Sequence, residues 1–244
     1  YSVIIFDSFS FSVLISSISF WISAFLFVAN SFCSSNLLCS SLSFCNLFSI
    51  FWISSSKDST FCLPVAYVIS FSCNSFSSLS AISNIPSGYS IVPLQTDEQI
   101  TVDQLLRVLM VHSANDAANV LAYHLDGSIS AFAERMNAKL SALGLKDSHF
   151  TNPSGQHDEN HYSTAHDIAL LLQYCMKNST FKTYASLKSC HLSATNKSGE
   201  RDFENTNPML QPNSSYYYKP LVTTKTGFTS QAMFCLASFA SYND

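Results

Sequence analysis

Leu221-Val222-Thr223-Thr224-Lys225-Thr226-Gly227 is the stretch on which the fold turns. Val, Thr and the aromatic residues ahead of it favour extended backbone, so the spacing predicts a strand that starts near Tyr216-Tyr217-Tyr218 and is broken by Gly227. A second strand is expected over Gln231 to Ala240, rich in Met, Phe, Cys, Leu and Ala, and the two read as a hairpin. On that reading the three tyrosines pack a strand rather than form a sugar platform. A lysine at a strand end sets a fixed positive charge beside the sheet edge. Thr226 adds a hydroxyl, and Gly227 removes a side chain so that another backbone can lie close and pair. These properties suit a peptide that ends in a free carboxylate.

Working outward, the next informative stretch is Thr101-Val102-Asp103-Gln104, which reads as a capping box: Thr101 accepts from the third helical amide and Gln104 reaches back to the cap. Val102, Leu105, Leu106, Leu109 and Met110 then recur at helical spacing, so a helix with one buried face runs up to Ser113. Asp116 to Leu125 offers a second helix. Ser113-Ala114-Asn115 therefore falls in a tight helix-to-helix turn, which aims two short polar side chains into a cleft. Ser-x-Asn is expected about once by chance in a chain of this length, but Lys-Thr-Gly in only roughly one such chain in twenty. Their joint occurrence carries the weight.

With both triplets in order, the chain resembles the serine-type D-alanyl-D-alanine carboxypeptidases, the low-molecular-weight penicillin-binding proteins, whose signature is S-x-x-K, S-D-N and K-T-G. The middle triplet departs from that form, with Ala114 in place of Asp. The flanks are similar too: Ile85 to Ser90, His112 to Ala122, Leu143-Gly144-Leu145 with Thr151 to Gly155, His161 to Ala165, and Lys225 to Gln231. Coverage runs from about Ala81 to about Ala240. The resemblance implies an α/β (α+β type) transpeptidase-like domain, an antiparallel sheet with helices, incomplete at both ends. It implies an acyl-enzyme route on peptidoglycan stem peptides, β-lactams as covalent inhibitors if the nucleophile is present, and an extracytoplasmic location. Neither metal nor organic cofactor is called for. Ser113 would relay a proton, Asn115 would orient substrate or the activating lysine, and Lys225 with Thr226 and Gly227 would hold the substrate carboxylate.

The same resemblance places the acylated serine and its lysine in an S-x-x-K motif about 60 residues before Ser113. Ser54-Ser55-Ser56-Lys57 fits by pattern and nearly by distance, which makes Ser54 and Lys57 the candidate nucleophile pair. A helix should follow such a motif, yet Pro64 comes soon after and would break it. The surrounding segment is unusual throughout. Residues 1 to 85 contain 26 Ser and 13 Phe, no Gly, and only Asp7, Lys57 and Asp58 as charged residues. A soluble domain needs Gly at positive-φ turns and charge on its surface. Such composition arises when an ordinary charged helical stretch is read in the wrong frame or strand. Residues 1–80 are therefore expected to stand outside the fold, and 81–244 to form the partial catalytic domain. With no basic run and no cleavage site, the N-terminus does not read as an export signal. Val13 to Ala29 is uncharged, but its serines and the lack of flanking Lys or Arg argue against a membrane span.

The remaining features have plain readings. His157-Asp158-Glu159-Asn160-His161 falls between a turn at Asn152 to Gly155 and a helix expected to be capped by Ser163, so it reads as a solvated loop rather than a zinc site. Net charge is -4 and no basic run occurs, which gives no reason to expect nucleic acid as a partner. Outside the first segment the cysteines are Cys175, Cys190 and Cys235, an odd number that gives no disulfide framework. Two alternatives remain open: a non-catalytic remnant, and a β-lactamase-like hydrolase. The latter has less support because no Glu-containing loop motif for a deacylating water is found.

Overall fold

The computed structural model describes residues 2–5, 74–76, 79–82 and 85–242, and the fold built from them alternates helices with three antiparallel sheets. The strands are β1 (Ser2–Ile5), β2 (Asn74–Phe76), β3 (Gln99–Thr101), β4 (Ser189–Leu192), β5 (Arg201–Glu204), β6 (Leu221–Thr229) and β7 (Met233–Ala240). The helices are α1 (Leu79–Ile82), α2 (Val102–His112), α3 (Asn115–Asp126), α4 (Ile129–Ala142), α5 (Ala165–Cys175) and α6 (Ser179–Ala185).

Helix α2 is the centre of the core. Its apolar positions Val102, Leu105, Leu106, Val108, Leu109 and Val111 are all essentially inaccessible to solvent. That stripe is wider than an amphipathic surface helix needs, and it is covered from several sides by residues of α3, α4, α5 and α6, among them Leu121, Phe132, Leu171 and Phe181. The capping box forms as the sequence requires: the Thr101 hydroxyl accepts from the Gln104 amide at 3.2 Å, and Gln104 Oε1 accepts from the Thr101 amide at 3.2 Å. Thr101→Ala is expected to lower stability by about 0.5–2 kcal/mol, read from the urea midpoint at unchanged slope.

The sheet that carries the site has the order β1-β7-β6. In it Lys225 lies opposite Ala237, Thr226 opposite Leu236 and Gly227 opposite Cys235. Three sequence expectations change here. Gly227 does not break the strand but sits inside it, because eight registered pairs with β7 outweigh the modest strand penalty of one glycine. Tyr216, Tyr217 and Tyr218 are not strand: the chain turns there, Tyr216 is exposed, and β6 starts only at Leu221, after Pro220. Helix α5 is capped by Thr164, whose side chain accepts from the Asp167 amide, rather than by Ser163. Ser163 instead faces Ser148, with their hydroxyls 2.7 Å apart.

The segment set apart as 1–80 contributes two paired strands. In β1, Ser2 lies opposite Ala240 and Ile5 opposite Ala237, and in β2, Asn74 lies opposite Thr101. Ser54, Lys57 and the stretch Val13 to Ala29 lie outside the described residues. Among the described residues no helix is long and apolar enough to cross a membrane.

Candidate active site

Helix α2 ends at Ser113, whose φ of 64° and ψ of 36° put it in the left-handed region. A helix C-cap often adopts this conformation, but usually with Gly or Asn, because a β-carbon there is strained. Strain of this kind in a polar residue marks a site where surrounding structure over-determines the backbone. Here α3 begins only two residues on, and its capping position is Ala114, which has no side-chain acceptor. The first amide of α3, from Asn115, is instead accepted by the Ser90 carbonyl at 2.9 Å. The Asn115 side chain turns the same way, its Nδ2 donating to Ser90 O at 2.9 Å and to Ser113 O at 3.4 Å.

Strand β6 delivers Lys225 to this turn. Its Nζ donates to Ser113 Oγ at 2.9 Å and to the Thr226 carbonyl at 2.7 Å. The two triplets, separated by 112 residues, thus meet through one direct contact. Lys225 was expected as a fixed charge at a sheet edge, but it is only 6% exposed, and burial pushes its ammonium down to about 7. The lysine is therefore poised between its charged and neutral forms near neutrality. A buried amine of that kind, touching a hydroxyl, can both attract an anion and pass a proton. Thr226 lies beside Thr206, with hydroxyl oxygens 3.0 Å apart, and Gly227 follows on the same strand. Among the described residues β6 is paired with β7.

His112 borders this pair. Burial lowers its pKa, with Asp116 acting the opposite way and Lys225 adding to the depression, and its ring lies 4.6 Å from that of Phe203. In the sequence Asp116 shows only as the start of a helix. In fact its carboxylate is buried and accepts from the amides of Val92 and Leu94, a role invisible without knowing where residues 90–94 fold back. The histidine-rich loop divides: Asp158, Glu159 and Asn160 are exposed, but His161 turns inward, its Nδ1 accepting from the Thr151 amide at 3.2 Å while its ring packs on Phe150. Among the described residues no group of three or more His, Cys, Asp or Glu is placed to hold a metal. Cys175, Cys190 and Cys235 are buried.

The fold is that of penicillin-binding proteins and DD-peptidases among the solved structures. A Streptomyces DD-transpeptidase variant superposes with a TM-score of 0.69 at 24% identity, covering 94% of this chain and 76% of that one. Residues 74–244 match the D-alanyl-D-alanine carboxypeptidase family, and the chain belongs to it. The match begins seven residues ahead of the boundary expected at 81, at strand β2. It also favours the carboxypeptidase reading over the β-lactamase-like one. The Bacillus subtilis D-alanyl-D-alanine carboxypeptidase DacF is 31% identical over 153 residues, which is 63% of this chain and 38% of that protein. A Streptomyces D-alanyl-D-alanine carboxypeptidase is 31% identical over 170 residues, 66% of this chain and 56% of that one. The chain thus spans well under two thirds of the length of these relatives.

Proposed function

We propose that residues 74–244 form the substrate-holding and proton-relay part of a serine-type D-Ala-D-Ala carboxypeptidase, acting outside the cytoplasmic membrane on peptidoglycan stem peptides. The observation that carries this reading is the Lys225–Ser113 contact, which joins the two triplets. A stem peptide pairs along β6, its terminal carboxylate near Lys225 and the Thr226 hydroxyl, with Gly227 leaving room for its backbone. The nucleophilic serine attacks the carbonyl of the penultimate D-Ala. The C–N bond breaks, and the leaving amine takes a proton relayed through Ser113 under the influence of Lys225. Water then hydrolyses the ester and regenerates the serine. Asn115 orients the substrate or the activating lysine. β-Lactams would be trapped at the same ester stage.

Ser54 and Lys57 are nucleophile candidates by sequence pattern alone, and a labelling experiment judges them. A fluorescent penicillin is applied to the full chain and to a chimera whose residues 1–73 are replaced by the corresponding segment of an active relative. The chimera should give a band that survives denaturing electrophoresis and should release D-Ala. The full chain should give none, because residues 1 to 85, with 26 Ser, no Gly and only three charged residues, lack the composition of a catalytic segment. A labelled full chain that loses its band in Ser54→Ala would instead establish Ser54 as the nucleophile. A folded chimera that binds stem peptide yet neither labels nor releases D-Ala would leave a non-catalytic remnant as the correct reading.

A further inference from the structure

Asn115 and Asp116 are joined to residues 90–94 by a reciprocal clasp. In one direction Ser90 O accepts from both the amide and the side chain of Asn115, each at 2.9 Å. In the other the Asp116 carboxylate accepts from the Val92 amide at 3.0 and 3.1 Å and from the Leu94 amide at 3.1 Å, and also from its own helix at Ala117 N, 3.0 Å. The far side of the same strap is anchored independently. Arg201 of β5 donates through Nη1 to Val92 O at 3.0 Å and through Nη2 to Glu98 Oε1 at 2.7 Å. Glu98, fully buried, closes the strap by accepting from the Gln95 amide at 2.9 Å. The peptide groups flanking Val92 are thereby gripped at both ends, N–H by a carboxylate and C=O by a guanidinium.

The chemistry explains why an acid stands at position 116. Because Ala114 cannot cap α3, the first turn needs acceptors from elsewhere, and an anion near a helix N-terminus is favoured by the helix dipole. A carboxylate also has enough lone pairs to take several amides at once, where an amide side chain has one accepting oxygen. The consequence reaches the reacting groups. With Nδ2 of Asn115 taken up by Ser90 O and Ser113 O, the group that Asn115 can offer a ligand is Oδ1, an acceptor.

We infer that Asp116 is a positioning residue: by holding residues 90–94 against the Ser113 turn it fixes which face of the Asn115 amide is presented to the peptide and keeps Ser113 in its left-handed conformation within reach of Lys225. The inference rests on the peptide-binding reading above. Its test uses the full chain and two probes, a blocked peptide ending in D-Ala-D-Ala and the same peptide as its C-terminal amide.

Asp116→Asn is isosteric but turns an NH2 group toward backbone amides. At a temperature where circular dichroism shows it folded, it should bind the acid peptide roughly tenfold more weakly, as small misplacements of site groups do. Its preference for acid over amide should persist, because Lys225 is untouched, and the Val92 and Leu94 amides should exchange hydrogen faster. A folded Asp116→Asn with unchanged affinity overturns the inference. Absence of any acid-over-amide preference in the unsubstituted chain would sink the peptide-binding reading instead, and leaves the exchange readout to judge the clasp alone. If Asp116→Asn does not fold, Arg201→Lys, which keeps the charge but loses the two-pronged grip on Val92 and Glu98, should show the same loss of affinity. Val92 and Leu94 amides that exchange at unprotected rates in the unsubstituted chain also overturn it.

Discussion

Lys225→Ala, made in the chimera that carries an active relative's nucleophile segment, is expected to lower D-Ala release by roughly tenfold to a hundredfold, the worth of about 1.5–3 kcal/mol for a charge-assisted contact. Two losses combine. The ammonium no longer meets the terminal carboxylate, and Ser113 Oγ loses the donor 2.9 Å away that tunes its proton transfer. The first loss raises KM and the second lowers kcat, so both parameters should move. Ser113→Ala in the same chimera should act chiefly on kcat, since a relay contributes to the barrier more than to binding. A chimera that binds peptide and turns over equally with and without Lys225 would remove this residue from the site.

The second large effect is on pH dependence. Burial brings the Lys225 pKa from 10.5 down to about 7. Below about pH 7 the amine is charged and attracts a carboxylate; above it the free protein holds a neutral amine. A bound carboxylate raises that pKa, so affinity for the acid peptide should fall as pH rises from about 7, by up to about tenfold per pH unit until the pKa of the complex is passed. Stability should move the other way. A base with a depressed folded pKa leaves the folded state with fewer protons than the unfolded chain between about 7 and 10.5, so this group's contribution to stability rises with pH across that window and its burial penalty is fully present below it. Lys225→Arg, whose guanidinium stays charged, should flatten the affinity profile above pH 7. A steep decline in the arginine variant would assign the titration to another group, and His112 is then the first to examine.

The parts legible in the sequence are those fixed by short-range chemistry. Thr101 and Gln104 make their box within three residues, and the apolar stripe from Val102 to Met110 reports its own periodicity, so the helix leading to Ser113 was readable to within a residue. The hairpin was readable as two strands, but not its details, because Gly227 is held in β6 by its partner Cys235 rather than by its own preference. Tyr216 to Tyr218 have the preferences of a strand and lie in turns, where backbone bonds such as Tyr218 N to Met209 O decide the path. The family resemblance named Ser113, Asn115 and Lys225, but it could not show that Lys225 is buried, since the triplet itself says nothing of what packs around it. The clasp at Asp116 was missed for the same reason: Asp after Asn at a helix start looks like an ordinary first-turn acid, and its partners are 22 and 24 residues upstream.

The most direct measurement is calorimetric titration of the full chain, near pH 6.5, with a blocked D-Ala-D-Ala peptide and with its C-terminal amide. The two ligands differ by one negative charge at the end that Lys225 and Thr226 are assigned to hold, and no nucleophile is needed to compare them. The acid should bind roughly tenfold to a hundredfold more tightly than the amide, and Lys225→Ala should erase the difference. Equal affinities for acid and amide in the unsubstituted chain would contradict the assignment of a terminal carboxylate to this site.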